Sequence, residues 1–242
     1  MVSTQVTESS QKSENQVLFP PGDYWSNQPP LESSLHFDQI VILVQCLTSW
    51  WRNRQDFYVG ADLTIYFSPN QLKSEYFRGP DFFVVLGTER GLKRKSWVVW
   101  EEGGKYPNLI IEILSNSTAK VDRGEKKQIY QDIFETPNYF WFDPETLEFE
   151  GFRLVEGTYQ AIEATEEGWL WSQELGLYLG IYEDKLRYFT PEKELVLTGE
   201  ETAIFAQQQL EAKDQQLARE RQQRESTQQQ LEQLQARLKE LG

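Results

Sequence analysis

The chain has 242 residues, 39% of them hydrophobic and 14% aromatic, with a net charge of −14 from 24 basic and 38 acidic side chains. That length supplies one sizeable domain with an appendage. So strong an acidic balance argues against binding nucleic acid through broad electrostatics, though it leaves room for a local basic surface.

A single cysteine, Cys46, excludes an internal disulfide and a multi-cysteine zinc site. It sits in an apolar helical run and reads as core packing. A single histidine, His36, leaves almost no material for a serine or cysteine triad. His36 reads as a structural or capping residue. No apolar run approaches the roughly 18–20 residues that span a bilayer. The N-terminus lacks the basic-then-apolar pattern of a signal peptide. The expectation is a cytoplasmic protein without membrane contact.

Residues 1–30 are polar and broken by Pro20-Pro21-Gly22 and Pro29-Pro30, the pattern of a flexible arm. Residues 31–51 predict a helix, because Ile40, Val41, Leu43, Val44, Leu47 and Trp50 recur at helical spacing. Strands are predicted at 63–67, from Asp81 onward, at 96–101 and at 109–114. A helix over about 123–134 follows a Ser/Thr-rich loop in which Ser115, Ser117 and Thr118 supply side-chain hydrogen bonds, with Asp122 read as the N-cap. Further strands are expected at 139–143, 147–154, 158–162, 175–181 and 185–189, with a hairpin around Glu156-Gly157. The order of helix, strands, helix, strand and extra strands predicts an α/β fold.

Two carboxylates stand out. Asp81 opens the apolar run Phe82-Phe83-Val84-Val85-Leu86, and Glu112 lies inside Leu109-Ile110-Ile111-Glu112-Ile113-Leu114. A carboxylate in an apolar strand is costly to bury unless it is paired or binds a metal. Two of them on neighbouring strands can hold a hard divalent cation, Mg²⁺ or Mn²⁺. On the helix that follows, Ile129, Tyr130, Ile133 and Phe134 define the buried face at 100° per residue. Lys126 falls near the centre of that face and Lys127 near its edge, towards solvent or a nucleic-acid backbone. Lys93, Arg94 and Lys95 concentrate positive charge between the two carboxylate strands, either as phosphate contacts or as a solvated loop. Asp62 opens the preceding strand, close to the metal or simply in a turn.

The stretches Phe77-Arg78-Gly79-Pro80-Asp81-Phe82-Phe83-Val84-Val85 and Lys95-Ser96-Trp97-Val98-Val99-Trp100-Glu101-Glu102 carry a resemblance, as does the chain from Ile111 to Pro144. Glu112-Ile113-Leu114-Ser115, Asp122-Arg123-Gly124 and Tyr139-Phe140-Trp141-Phe142-Asp143-Pro144 are its specific parts. Together they resemble the Uma-type family of bacterial restriction-endonuclease-like proteins, within the PD-(D/E)XK nuclease superfamily. The resemblance covers roughly residues 31–198. It implies a restriction-endonuclease-like core, a mixed central sheet flanked by helices, with extra C-terminal β-hairpins. It also implies a metal-dependent endonuclease that hydrolyses phosphodiester bonds, in DNA, with Asp81 and Glu112 as metal ligands and Glu32 as a third. The superfamily's lysine usually lies two residues after the second acid, where this chain has Leu114. Lys126 is therefore the expected catalytic lysine, with Tyr130 steadying it. The rival expectation is a weak or inactive nuclease fold serving as a scaffold.

Residues 200–242 contain no proline and no glycine before Gly242, and they predict one long helix. Leu210, Leu217, Leu231 and Leu238 share a heptad position, with Leu234 and Leu241 at a second. Lys213, Glu220, Arg224 and Thr227 interrupt the seam. A weak coiled coil and a homodimer follow from this pattern.

Overall fold

The computed structural model describes residues 33–68, 79–115 and 118–240. Ser33 caps the first helix, α1 (Ser34–Trp50), by accepting a hydrogen bond from the His36 amide at 3.1 Å. α1 lays Ile40, Leu43, Cys46 and Leu47 against one face of a six-stranded sheet.

That sheet contains β1 (Phe57–Ala61), β3 (Phe82–Leu86), β5 (Leu109–Ile113), β6 (Asn138–Phe142), β7 (Phe149–Val155) and β8 (Thr158–Ala161), in this order. β5 and β6 run parallel and the other neighbours antiparallel, so the sheet is mixed. The chain therefore crosses over between β5 and β6, and the crossover carries a helix, as parallel neighbours require. β2 (Ile65–Tyr66) and β4 (Trp97–Val98) form a small parallel pair beside it. β9 (Leu170–Ser172), β10 (Leu177–Tyr182) and β11 (Lys185–Phe189) make a three-stranded antiparallel sheet.

Strand alternation divides the core in two. Phe82, Val84, Leu109, Ile111 and Ile113 face α1 and the three-stranded sheet. Phe83, Val85, Ile110, Tyr139 and Trp141 face the crossover helix. Two glycines let aromatic rings lie across the strands. Gly60 is paired with Phe83 and Gly151 with Phe140. A Cβ on Gly60 would meet the Phe83 ring at 2.2 Å, and one on Gly151 the Phe140 ring at 2.4 Å.

The crossover helix starts earlier than the sequence predicts. It comprises α2 (Ala119–Val121), a π-helical turn at Asp122–Lys126, and α3 (Lys127–Asp132). Asp122 is thus an interior residue and caps nothing. The Ser115 and Thr118 hydroxyls lie 3.0 Å apart, and the Thr118 amide donates to Ser115 Oγ at 3.2 Å, closing the turn before the helix. The buried helix face also differs by one residue. Tyr130 and Phe134 are buried, but Ile133 is 47% exposed, because α3 ends at Asp132 and Ile133, at φ −113°, has left the regular helix on which the phasing relies.

Strands β1 and β9 are additions to the sequence reading, and the strand expected over 96–101 shortens to Trp97–Val98. The hairpin around Glu156-Gly157 forms, with φ of 49° and 77° at its two central residues. Finally, Thr198 and Glu201 build a reciprocal capping box. The Glu201 amide donates to Thr198 Oγ1 at 3.1 Å, and the Thr198 amide to Glu201 Oε2 at 2.7 Å. From this cap runs α4 (Gly199–Glu240), 42 residues in one helix.

Candidate active site

The antiparallel register of β3 and β5 pairs Phe82 with Ile111. One residue further along, Asp81 stands opposite Glu112, and alternation sends both carboxylates to the face covered by the crossover helix. Their backbones bind them together. The Ile113 amide donates to Asp81 Oδ2 at 2.7 Å, and the Asp81 amide to Glu112 Oε2 at 3.3 Å.

The crossover helix brings the other members. Asp122, Lys126 and Tyr130 are four residues apart, so they form one stripe facing the strand ends. Lys126 Nζ lies 3.1 Å from Glu112 Oε2 and 2.9 Å from Asp122 Oδ1. The Tyr130 hydroxyl donates to Glu112 Oε1 at 2.7 Å. Tyr139, on β6, donates its hydroxyl to the Asp122 carbonyl at 2.8 Å. His36 Nε2 approaches Asp81 Oδ1 at 3.2 Å from the start of α1. The Asp62 amide donates to the Asp81 carbonyl at 2.9 Å, with Asp62 at φ 45°.

Glu112 and Asp122 are fully buried, whereas the Asp81 and Lys126 side chains keep 17% and 15% exposure. With His36 neutral, three carboxylates against one ammonium leave two negative charges uncompensated. Burial and the neighbouring carboxylates hold Glu112 well above the usual glutamate value, against the pull of Lys126. Burial likewise raises Asp122. For Asp81, burial is outweighed by His36, Lys126 and the Ile113 amide, and its pKa falls. Burial opposes charge on Lys126, but the three carboxylates outweigh it and hold the ammonium protonated. Glu112 and Lys126 pull each other in opposite directions. Because one lysine faces three acids, the surplus proton belongs on a carboxyl and the lysine stays charged.

The donor set suits a small hard cation. The ligands are carboxylate oxygens, and a divalent ion matches the two uncompensated charges. Among the described residues no three His, Cys, Asp or Glu side chains form a metal-binding group. Mg²⁺ and Mn²⁺ need no such cage, because one or two carboxylates plus water and phosphate complete their shell. Glu32, the expected third ligand, lies outside the described residues, as does Ser117.

Residues 8–186 match the family model "Uma2: Putative restriction endonuclease". The chain belongs to the Uma2 family. A crystal structure described as a putative nuclease belonging to DUF820, from Anabaena variabilis ATCC 29413, is similar at 13% identity. Its TM-score is 0.45, over 61% of this chain and 76% of that one. No curated protein matches the chain.

In this Uma2 chain the basic residues between the carboxylate strands are not equivalent. The Arg94 guanidinium makes a two-pronged ion pair with Glu102, its Nη2 lying 2.9 Å from Oε2, and stacks 4.6 Å from the Tyr58 ring and 5.0 Å from that of Trp97. It is committed to holding its own loop. Lys93 and Lys95 are exposed. Lys127 does not extend into solvent. Its ammonium sits 3.3 Å from the Phe152 ring centroid and 5.1 Å from that of Trp141. Asp122 escaped the sequence reading because it occupied an apparent cap position. Its spacing of four residues from Lys126 was the available signal. Within the described residues, no helix is long and apolar enough to cross a membrane.

Proposed function

We propose that this Uma2 chain is a metal-dependent endonuclease hydrolysing phosphodiester bonds in DNA, with Asp81, Glu112 and Lys126 as its catalytic residues. The observation that carries the reading is Lys126. A lysine from a separate helix reaches Glu112, the partner of Asp81 across β3 and β5, and is ion-paired there and to Asp122 of its own helix. Asp81 and Glu112 would hold Mg²⁺ or Mn²⁺, with Glu32 as a third ligand. A bound ion of this kind supplies Lewis-acid activation of water and neutralises phosphate charge.

The chain's own residues do the rest. Lys126 gives two N–H groups to Glu112 and Asp122 and has a third to offer a phosphate oxygen, where it stabilises the charge developing in the transition state. Asp122 and Tyr130 fix the lysine and Glu112 in place before substrate arrives, so little reorganisation accompanies the reaction. Lys93, Lys95 and Lys127 are the proposed phosphate-backbone contacts, the last after leaving its aromatic seat. Arg94 contributes by shaping the loop that carries Lys93 and Lys95.

A second reading has its own support. All four oxygens of Asp81 and Glu112 already have partners within the protein. A site satisfied in this way also suits an inactive fold that serves as a scaffold. Cleavage of supercoiled plasmid separates the two. Nicking that needs Mg²⁺ or Mn²⁺, stops with chelator and is lost in Asp81→Asn supports the enzyme. No cleavage with either metal, or equal cleavage by the variant, overturns it.

A further inference from the structure

Among the described residues, nothing covers the apolar stripe that α4 carries away from the domain. Leu210, Leu217, Leu231, Leu234 and Leu238 are between 44% and 71% exposed. The base of the helix is fixed, because Arg187 holds Glu201 through two ion-paired contacts of 3.0 and 2.7 Å. Beyond that anchor the stripe needs a partner, and the charges interrupting it specify which one.

With Leu210 at heptad position a, the a seam reads Ala203, Leu210, Leu217, Arg224, Leu231, Leu238, and the d seam reads Ala206, Lys213, Glu220, Thr227, Leu234. In a parallel, in-register pair each layer meets itself. Arg224 would face Arg224, Glu220 would face Glu220, and Lys213 would face Lys213. In an antiparallel pair an a residue faces a d residue. When the two-fold axis passes near Gln222, Arg224 of each copy faces Glu220 of the other. The same register sets Leu210 against Leu234, Ala206 against Leu238, and Leu217 against Thr227. Lys213 meets Leu231, where its stem packs and its ammonium reaches water. Sliding one heptad either way replaces the Arg224–Glu220 contact by Arg224 against Lys213 or against Thr227. Of the flanking positions, g is uncharged at Gln216, Gln223 and Gln230, whereas e carries Asp214 and Arg221, so the reciprocal seam pairs set the orientation against the like charge of two Arg221 side chains near the axis.

We infer that α4 pairs with α4 of a second copy of this chain as an antiparallel coil, locked in register by reciprocal Arg224–Glu220 ion pairs. This goes beyond the catalytic reading and does not depend on it. At about 1.5 Å rise per residue, the two Gly199 residues stand about 70 Å apart along the coil. The two domains therefore sit at opposite ends of a rod.

The test uses the full chain and cysteine pairing. The double variant Leu210→Cys/Leu234→Cys should give a disulfide-linked dimer under mild oxidation, while each single variant should not. Native Cys46 is buried and serves as the background. In sedimentation, Arg224→Glu should raise the dimer dissociation constant about tenfold or more, by setting Glu against Glu220. Adding Glu220→Arg should restore it. Efficient crosslinking of the single Leu210→Cys variant would show a parallel coil and overturn the inference. A monomeric wild-type chain at tens of micromolar, or no rescue by the double charge swap, would overturn it as well.

Discussion

Replacing Lys126 by methionine removes one ammonium from the middle of three carboxyl groups, two of them fully buried. The side chains are similar in length, so packing changes little and the charge effect dominates. Breaking a buried pair by removing one partner costs about 3–5 kcal/mol, because the remaining charge is left uncompensated. Here the carboxyls can respond by taking up protons. Burial already places the folded pKa of Glu112 and Asp122 above the unfolded values, so the folded chain holds protons there more tightly. For acids shifted upward, stability falls as the pH rises through the folded pKa. Losing Lys126 shifts them further up. Urea denaturation should therefore find Lys126→Met less stable than the parent by about 3–5 kcal/mol at about pH 8, with the gap closing towards about pH 5. A loss below about 1 kcal/mol, or an equal loss at both pH values, would show that Lys126 is not the counter-charge of this cluster.

Three further outcomes follow from named contacts. Tyr130→Phe should cost about 1–3 kcal/mol in urea denaturation and slow plasmid cleavage, because it strands Glu112 Oε1 in a buried setting; an unchanged midpoint would deny the hydrogen bond its role. Gly151→Ala should lower the unfolding temperature measurably, since the new methyl meets the Phe140 ring and Leu170 Cδ1 at 2.4 and 2.9 Å; an unchanged temperature would mean that the ring yields freely. Thr198→Ala should cost about 1 kcal/mol and speed amide exchange in the first turn of α4, through loss of the capping box; exchange equal to that of the parent would count against the cap.

The carboxylate pair was legible in sequence for a simple reason. An acid set in an apolar strand is conspicuous, and strand alternation fixes its side once the register is known. Lys126 was legible because a lysine near the centre of an apolar helix face is equally conspicuous. What escaped were residues whose roles depend on partners distant in the chain. Asp122 stood between a Ser/Thr-rich loop and an apolar helical pattern and so read as a cap, whereas the helical segment begins at Ala119. His36 reaches Asp81 across 45 residues of sequence, and no local pattern announces that contact. Arg94 read as a free cation because its match with Glu102 and the rings of Tyr58 and Trp97 exists only after the loop folds. Lys127 was placed near solvent by helix phase alone, which takes no account of the aromatic rings of β6 and β7 beneath it.

The π turn has a consequence for changes in chain length. Gly124 lies in it, and a Cβ built there would meet nothing within 4 Å, so substitution at this point is sterically free. Deletion is tolerated for a different reason. Removing one residue between Asp122 and Lys126 would let the segment relax to a regular α-helix, because a π turn holds one residue more than the α turn it replaces, and the residues before it would keep nearly the same facing relative to Tyr130. Asp122 would then stand three residues before Lys126, still a neighbour on the same helix face. Relatives of this chain should therefore vary freely in which residue fills position 124, and some should lack one residue between the aspartate and the lysine.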